Sequence, residues 1–338
     1  MRNKSKQPLR FGIIGCSQIA KKSMLPAMRD SNLANLVMIG SRSEEKAKSF
    51  AKQFHCSFYG SYDDVLGNKN IDAVYISLPI AMHEEWSVKA AKAKKHVLCE
   101  KPATIMLASA KRMVEMSRKN KVRIMEGLMF RYHPQHAKIK KIIEDGVLGE
   151  LLKFEGCFAA PMPEESDNIL NSALDGGYYN HAAPYPICAS RMVFKEEPLS
   201  VACNFRMDLQ RGVDTKADML LGFSNGKSAL ISCAIGSYYQ STYGILGTKA
   251  HLKVARAYAV PSNMVTKIFL DINDETAEIA VEPADQFKLM IDDFCEEILK
   301  GDVGVKDYEN DLLAQARILE AGRISAKEGR IVYLSELV

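Results

Sequence analysis

The eight cysteines contain no C-x-x-C pair, and four of them, Cys16, Cys99, Cys203 and Cys233, sit inside apolar runs. This spacing supplies neither a zinc ribbon nor a disulfide framework and fits buried free thiols in a reducing compartment. No apolar stretch approaches the roughly 20 residues that a spanning helix needs, so no membrane partner is expected. Lys and Arg, 45 together against 41 acids, are interspersed with those acids. The net charge of +4 therefore leaves no basic stripe for a nucleic acid, though an anionic small ligand suits it. The chain also lacks a Gly-x-Ser-x-Gly elbow, a Walker lysine and histidines at paired ligand spacing. Hydrolase, NTPase and metal-centre readings lapse. Internal repeats and low-complexity segments are missing too. The basic opening Met1, Arg2, Asn3, Lys4, Ser5, Lys6 is not followed by the apolar core of a secretory signal, so a short solvated tail and a cytoplasmic location are expected.

What is present points to two domains, since 338 residues exceed one ordinary core. Residues 9–14 form a strand pattern that runs into Gly15, Cys16, Ser17, Gln18, Ile19 and Ala20, after which Met24, Leu25, Ala27 and Met28 recur at helical spacing. Strand, tight turn and helix in this order are the setting of the dinucleotide fingerprint Gly-x-Gly-x-x-Gly/Ala. Its three places hold Gly15, Ser17 and Ala20. Ser17 departs from the pattern: its side chain narrows the approach, while its hydroxyl can donate to a phosphate oxygen beside the helix N-terminal amides. A second strand, 36–40, ends in Ser41, Arg42, Ser43 and Glu44, where Ser41 and Glu44 read as a capping box. An NAD site places an acid here for the ribose 2′-hydroxyl. Ser41 and Arg42 suit a 2′-phosphate instead, so NADP(H) is expected over NAD(H).

Strand and helix then alternate: strands at 58–59, 71–77, 96–99 and 122–126, and helices starting at Ser61 with Asp64, at 83–93 and at 107–119. This rhythm builds a parallel, doubly wound sheet. The strand at 96–99 delivers Glu100, Lys101 and Pro102 in succession. Proline denies the strand its next backbone donor, leaving a lysine at the carboxyl end of a buried strand, where open α/β sheets hold ligands. Most lysines at a loop edge are merely solvated, so the lysine needs further support.

Beyond His133 a helix at 139–144 leads to a strand at 151–158 and further strands at 199–207, 215–223, 227–234, 237–246 and 250–254, with turn signals at Ser224, Asn225, Gly226, Lys227 and at Gly247, Thr248, Lys249. Strands without intervening helices make an open, mostly antiparallel sheet. Amphipathic helices follow at 286–299 and 308–327. The fold class is α/β plus α+β, with a Rossmann dinucleotide-binding domain at 1–130 and a substrate-binding and oligomerisation domain at 131–338. Within the second, Asp175, Gly176 and Gly177 precede Tyr178, Tyr179, Asn180 and His181, and an apolar helical run occupies 187–194. His181 and Tyr185 share a helical face if the helix has begun, although Pro184 and Pro186 limit how early it can.

Gly15 to Ala20, the segment 72–76, Trp86, the run 95–102, and Glu126, Gly127, Leu128, Met129, Phe130, Arg131, Tyr132, His133, Pro134, Gln135 resemble the glucose–fructose oxidoreductase / inositol dehydrogenase / rhizopine catabolism (Gfo/Idh/MocA) family. The resemblance covers nearly the whole chain. It implies an oxidoreductase acting on CH–OH groups, with Lys101 against nicotinamide and substrate and the Lys101–Pro102 bond cis. The expected cofactor contacts are Gly15, Cys16, Ser17, Gln18, Ile19, Ser41, Arg42, Leu78, Pro79, His83, Glu100 and Lys101, with helix capping the other reading of His83, and the expected substrate contacts are Arg131, His133, Asn168 and Tyr239, with His136 beside them; Arg131, His133 and His136 read equally as surface polar residues. Tyr185 takes a position where the family has Tyr or His, and His181 stands where an acid is common, a departure that bears on the substrate. The final helices are implied to lie against the first domain, and the open sheet to support a homodimer or homotetramer.

The chemistry follows from the side chains. Hydride reduction of a ketone leaves an alkoxide that needs a proton donor within about 3 Å. Tyr185 is the expected donor, Lys101 the group that stabilises the oxygen, and His181 an auxiliary that relays a proton or holds a hydroxyl. The expected activity interconverts hydroxyl and ketone on a sugar or nucleotide-linked sugar. A sugar 1-dehydrogenase or dihydrodiol dehydrogenase is the near alternative, and a non-catalytic NADP-sensing regulator the alternative from another class.

Overall fold

A computed structural model describes residues 7–165, 167–301 and 306–337; the basic opening Met1 to Lys6 lies outside them. In the order of the chain, β1 (Leu9–Ile14) leads through a π-helical turn (Ala20–Met24) into α1 (Leu25–Asp30), followed by β2 (Ala34–Gly40), α2 (Glu44–Gln53), β3 (Phe58–Gly60) and α3 (Tyr62–Gly67). The series continues with β4 (Ala73–Ile76), α4 (His83–Lys92), β5 (His96–Cys99), α5 (Leu107–Asn120) and β6 (Ile124–Glu126). These six strands form one parallel sheet ordered β3-β2-β1-β4-β5-β6. The order reverses between β1 and β4, and the crevice outside their carboxyl ends is where such sheets take ligands. Phe11, Ile13, Val74, Tyr75, Val97 and Leu98 have no exposed surface, which is why these strands read as continuous apolar runs rather than alternating ones.

The caps are local and mostly legible. Ser61 and Asp64 form the expected reciprocal box ahead of α3. For α2 the cap is Ser43, which accepts the Lys46 amide, and not Ser41. An N-cap must directly precede the first helical residue. Ser41 sits two residues too early and accepts the Ser43 amide at 3.2 Å.

The remaining elements are α6 (Pro134–Glu144), β7 (Leu151–Ala160), α7 (Tyr178–Ala182), α8 (Pro184–Phe194), β8 (Ser200–Asp208), β9 (Val213–Gly222), β10 (Ser228–Ile235), β11 (Gln240–Gly247), β12 (His251–Val254), β13 (Thr266–Ile272), β14 (Glu275–Val281), α9 (Gln286–Lys300), α10 (Tyr308–Glu328) and β15 (Val332–Tyr333). The nine later strands make a sheet ordered β14-β13-β12-β11-β7-β10-β9-β8-β15. It is antiparallel except at its centre, where β7 and β10 pair in parallel. Three strands were not expected. β13 and β14 join through Asn273 and Asp274, both at positive φ, the two-residue turn that fits the twist of a hairpin. β14 is largely exposed and carries no alternation to announce it. Helices α7 and α8 pack on one face; a side chain at Gly156 of β7 would meet Pro186 Cβ at 2.8 Å. The other face presents Leu220, Leu230 and Leu246, each more than a third exposed.

Packing divides the chain into two compact units. The first comprises Met1–Thr104, Ala108–Met129 and Phe287–Leu313, and the second Ile105–Leu107, Phe130–Gln286 and Ala314–Val338. Relative to the expected cut at 130, residues 287–313 are counted with the first unit. The reason is a buried cation. Arg123, 4% exposed, donates to Glu297 at 2.9 Å and to Glu309 at 2.8 and 3.0 Å, while the Phe294 ring lies 6.3 Å from Phe11. No helix among the described residues is long and apolar enough to cross a membrane.

Replacing Arg123 by Leu strands two buried carboxylates. The expected cost is about 3–5 kcal/mol, read as a lower urea midpoint at unchanged slope; a wild-type midpoint would exclude this ion cluster as the fastening of α9 and α10.

Candidate active site

In the first unit the chain leaves β1 at Gly15 with φ +108°, and its amide donates to the Gly40 carbonyl at 3.1 Å. A Cβ here would lie 2.9 Å from Leu78 Cδ2 and 3.0 Å from the Ser77 carbonyl oxygen. Glycine is thus required twice, by conformation and by space. Ser17 Oγ accepts the Ala20 amide at 3.1 Å, which leaves its O–H free to donate outward. Gln18 is exposed and Ile19 half-buried at the start of the helix. Cys16 is buried, and burial pushes its thiol up. Past β2, Ser41 is buried and Arg42 exposed.

The loop carrying Lys101 is fixed by buried polar groups. Glu100, 9% exposed, accepts the Tyr75 hydroxyl at 2.5 Å and the Lys101 amide at 3.3 Å; burial holds its carboxyl above the usual range. Glu126 accepts the Ala103 amide at 2.8 Å. His83 lies between the Pro102 carbonyl at 2.9 Å and the Leu78 carbonyl at 2.8 Å. A neutral imidazole donates to one of the two, and burial lowers its pKa, opposing the imidazolium that would satisfy both. His83 opens α4 without capping it; instead it links the loops after β4 and β5, beside the half-buried Leu78 and Pro79. The Lys101–Pro102 bond is cis, and Lys101 is half-buried.

In the second unit, helix begins at Tyr178, before Pro184 rather than after it. Pro184 costs little because Ala183 keeps helical angles and the ladder continues around it, from the Ala183 amide to Tyr179 and from the Ile187 amide to Ala183. His181 and Tyr185 therefore occupy one continuous helical path, four residues apart. Tyr185 is 5% exposed, its ring packed among Phe158 at 5.1 Å, Phe130 at 5.8 Å and Tyr258 at 5.8 Å. His181 is half-buried and stacks on Tyr178.

The other candidates divide. Arg131 is half-exposed in a short 3-10 turn, and Asn168 is exposed in another. His133 is buried, capping α6 through the Gln135 amide, and burial lowers its pKa. His136 faces the Tyr243 hydroxyl at 2.9 Å and the Ala257 carbonyl at 3.1 Å, and burial drives it down to about 3. Both its nitrogens are engaged inside the protein, so it does not face a substrate. Tyr239 is half-buried beneath the Arg256 guanidinium, 4.2 Å from the ring centre; its hydroxyl is buried without a hydrogen-bond partner.

Residues 9–128 match the family described as oxidoreductases with an NAD-binding Rossmann fold, and residues 136–253 the GFO/IDH/MocA C-terminal domain. A dTDP-3,4-didehydro-2,6-dideoxy-alpha-D-glucose 3-reductase of Saccharopolyspora spinosa is 31% identical over 94% of this chain and 97% of its own. The chain belongs to the Gfo/Idh/MocA oxidoreductase family. D-xylose 1-dehydrogenase (NADP(+)) 2 of Haloferax volcanii is 26% identical over 96% of this chain and all of its own. Among solved structures, a 3-ketoreductase of Actinomadura kijaniata in complex with NADP and TDP-benzene superposes with a TM-score of 0.90 at 29% identity, covering 94% of this chain and 98% of that one. That reductase has also been solved with a tyrosine replaced by phenylalanine and with a lysine replaced by alanine or glutamate.

Sequence reading missed the groups that hold these positions, notably the buried Phe158 and Tyr258 against Tyr185, the buried Asp214, which accepts the Tyr179 amide, and the half-buried Arg323, which donates to Asn180. Each lies on an element distant in the chain from the residue it holds, and none forms a local motif. For this Gfo/Idh/MocA member, Gly15→Ala is expected to cost about 1–3 kcal/mol through the positive φ and the Ser77 contact, measured by urea unfolding; an unchanged midpoint would show that the loop relaxes freely.

Proposed function

We propose that this chain is an NADP(H)-dependent ketoreductase that interconverts a ketone and a hydroxyl on a sugar or nucleotide-linked sugar. One observation carries this reading: a chain similar along nearly its whole length to a dTDP-3,4-didehydro-2,6-dideoxy-alpha-D-glucose 3-reductase carries both Glu100-Lys101-Pro102 after β5 and Tyr185 on the buried helix α8. The first unit would hold the dinucleotide and the second the sugar.

The residues present fit that cofactor. The backbone at Gly15 has no room for a Cβ, the helix that follows directs amides outward, and the Ser17 hydroxyl is available as a donor. Gly40 is followed by Ser41, Arg42 and Ser43 rather than a carboxylate, which suits a 2′-phosphate. Bound NADPH supplies the hydride. The Lys101 ammonium donates to the substrate oxygen and stabilises the negative charge that develops there, and the Tyr185 hydroxyl gives that oxygen its proton. His181, one turn earlier on the helix, returns a proton from solvent to the phenolate.

The similarity to a xylose 1-dehydrogenase favours a second reading, oxidation at the anomeric carbon, which uses the same groups in reverse. A cofactor-sensing regulator would have no use for both Lys101 and Tyr185. The exposed leucines on the open sheet face support a homodimer or homotetramer built through that face.

Nicotinamide absorbance, followed with NADPH and keto-sugars with and without a linked nucleotide, tests the reading; binding without oxidation of any substrate would favour the regulator. Lys101→Ala is expected to cut turnover by at least about 10²-fold while NADPH still binds, and near-normal turnover would remove Lys101 from the mechanism. Arg42→Ala is expected to weaken NADPH at least about tenfold and leave NADH little changed, measured as dissociation constants; tighter NADH binding by the native chain would defeat the assignment.

A further inference from the structure

The turn that starts α7, the short helix leading into the Tyr185 helix α8, is gripped by polar groups to which the proposed reaction gives no role. Gly177 precedes α7 at φ +106°, and Asp214 of β9 approaches it so closely that a Cβ at 177 would collide with the carboxylate. Asp214 is 7% exposed, and its Oδ2 accepts the Tyr179 amide at 2.6 Å, one of the amides that a helix start leaves without an internal partner. Arg323 of α10 donates to Asn180 Oδ1 at 2.9 Å. Asn180 Nδ2 in turn donates to the carbonyls of Asp175 at 3.0 Å and Gly176 at 3.2 Å. Two elements remote in the chain thus hold the same turn. Pro184 and Pro186 donate no amide of their own, but Ala183 keeps helical angles between α7 and α8 and the ladder bridges the junction from the Ala183 amide to Tyr179 and from the Ile187 amide to Ala183, so the placement of the Tyr179 turn bears on the placement of Tyr185.

We infer that Asp214 is a positioning residue for the reaction: through the Tyr179 amide its carboxylate sets where α7, which bears His181 and leads directly into the Tyr185 helix α8, begins, with Arg323 and Asn180 as the second hold. The inference rests on the reading of Tyr185 as proton donor.

The groups facing Asp214 decide how it responds to pH. They are Tyr178 and Tyr179 of α7, Arg323 of α10, Cys203 of β8 and Cys233 of β10. Burial raises both tyrosines and Cys233 above their ordinary values and Cys203 to about 12, while burial lowers Arg323 from a value far above neutrality. Burial pushes the Asp214 carboxyl up to about 6. As pH falls through that value Asp214 gains a proton, loses its charge and weakens its bond to the amide, so activity declines toward acid. Asp175, also raised by burial, and His181 are the neighbours that must be separated from it.

The experiment measures kcat and the KM for NADPH from about pH 5 to 8 in the native chain and in Asp214→Asn, Asp175→Asn, His181→Gln and Tyr185→Phe, with thermal melts to confirm folding. The native chain should lose kcat with a midpoint near 6. Asp214→Asn, nearly isosteric but neutral, should have a kcat about tenfold lower at the alkaline end, an unchanged KM for NADPH and no acid limb. The limb should persist in Asp175→Asn and His181→Gln. A folded Asp214→Asn with native kcat or a native acid limb overturns the inference, as does a limb abolished by Asp175→Asn or His181→Gln. Should Asp214→Asn fail to fold, the native, Asp175→Asn and His181→Gln profiles decide by the same criteria. Native turnover in Tyr185→Phe would overturn the reading of Tyr185 and the inference with it, whereas an impaired Tyr185→Phe beside a native-like Asp214→Asn sinks the positioning role and leaves that reading standing.

Discussion

A buried imidazole between two carbonyls fixes the loop that matters most in the first unit. His83 spans from Leu78 to Pro102, so the segments leaving β4 and β5 are tied to each other as well as to the sheet. The Tyr75–Glu100 and Glu126–Ala103 hydrogen bonds close the same loop from the two flanking strands. Between these ties the backbone of residues 100–103 has little freedom. A lysine on such a loop has its Cα position set by the sheet, leaving the side-chain torsions as its main freedom, which is what a charge stabilising one particular oxygen requires.

The second unit solves the same problem with different materials. The Tyr185 ring is walled by Phe130, Phe158 and Tyr258, contributed by the segment after β6, by β7 and by the segment after β12. Aromatic walls hold a phenol ring by shape. The helix start is held by hydrogen bonds, where the buried Asp214 carboxylate and the half-buried Arg323 serve groups that would otherwise lie unpaired. In both units the segments carrying the groups proposed to react are held by largely buried neighbours, through hydrogen bonds in the first and through aromatic packing and hydrogen bonds in the second.

How much of this could be read from the chain depended on whether the signal was local. The β/α alternation, the Gly15 turn, the Ser61–Asp64 box and the Glu100-Lys101-Pro102 stop were legible because periodicity, proline and glycine act within a few residues. His136 was misplaced among substrate contacts for the complementary reason. A histidine after a strand looks polar and available, and its partners Tyr243 and Ala257 lie more than a hundred positions away. The Ser41 cap failed by two residues, a distance that spacing rules do not resolve.

By itself the sequence determined which segments become strands and helices in the first unit, where a dinucleotide could approach the backbone, and which lysine and tyrosine the proposed chemistry draws on. These are properties of neighbouring residues and of side-chain type. Tertiary structure decided the parallel pairing of β7 with β10, the addition of β13, β14 and β15, the grouping of residues 287–313 with the first unit through Arg123, and the hold that Asp214 and Arg323 keep on one helical turn. Each is a pairing between groups far apart along the chain, and its energy exists only once folding has brought both partners out of water.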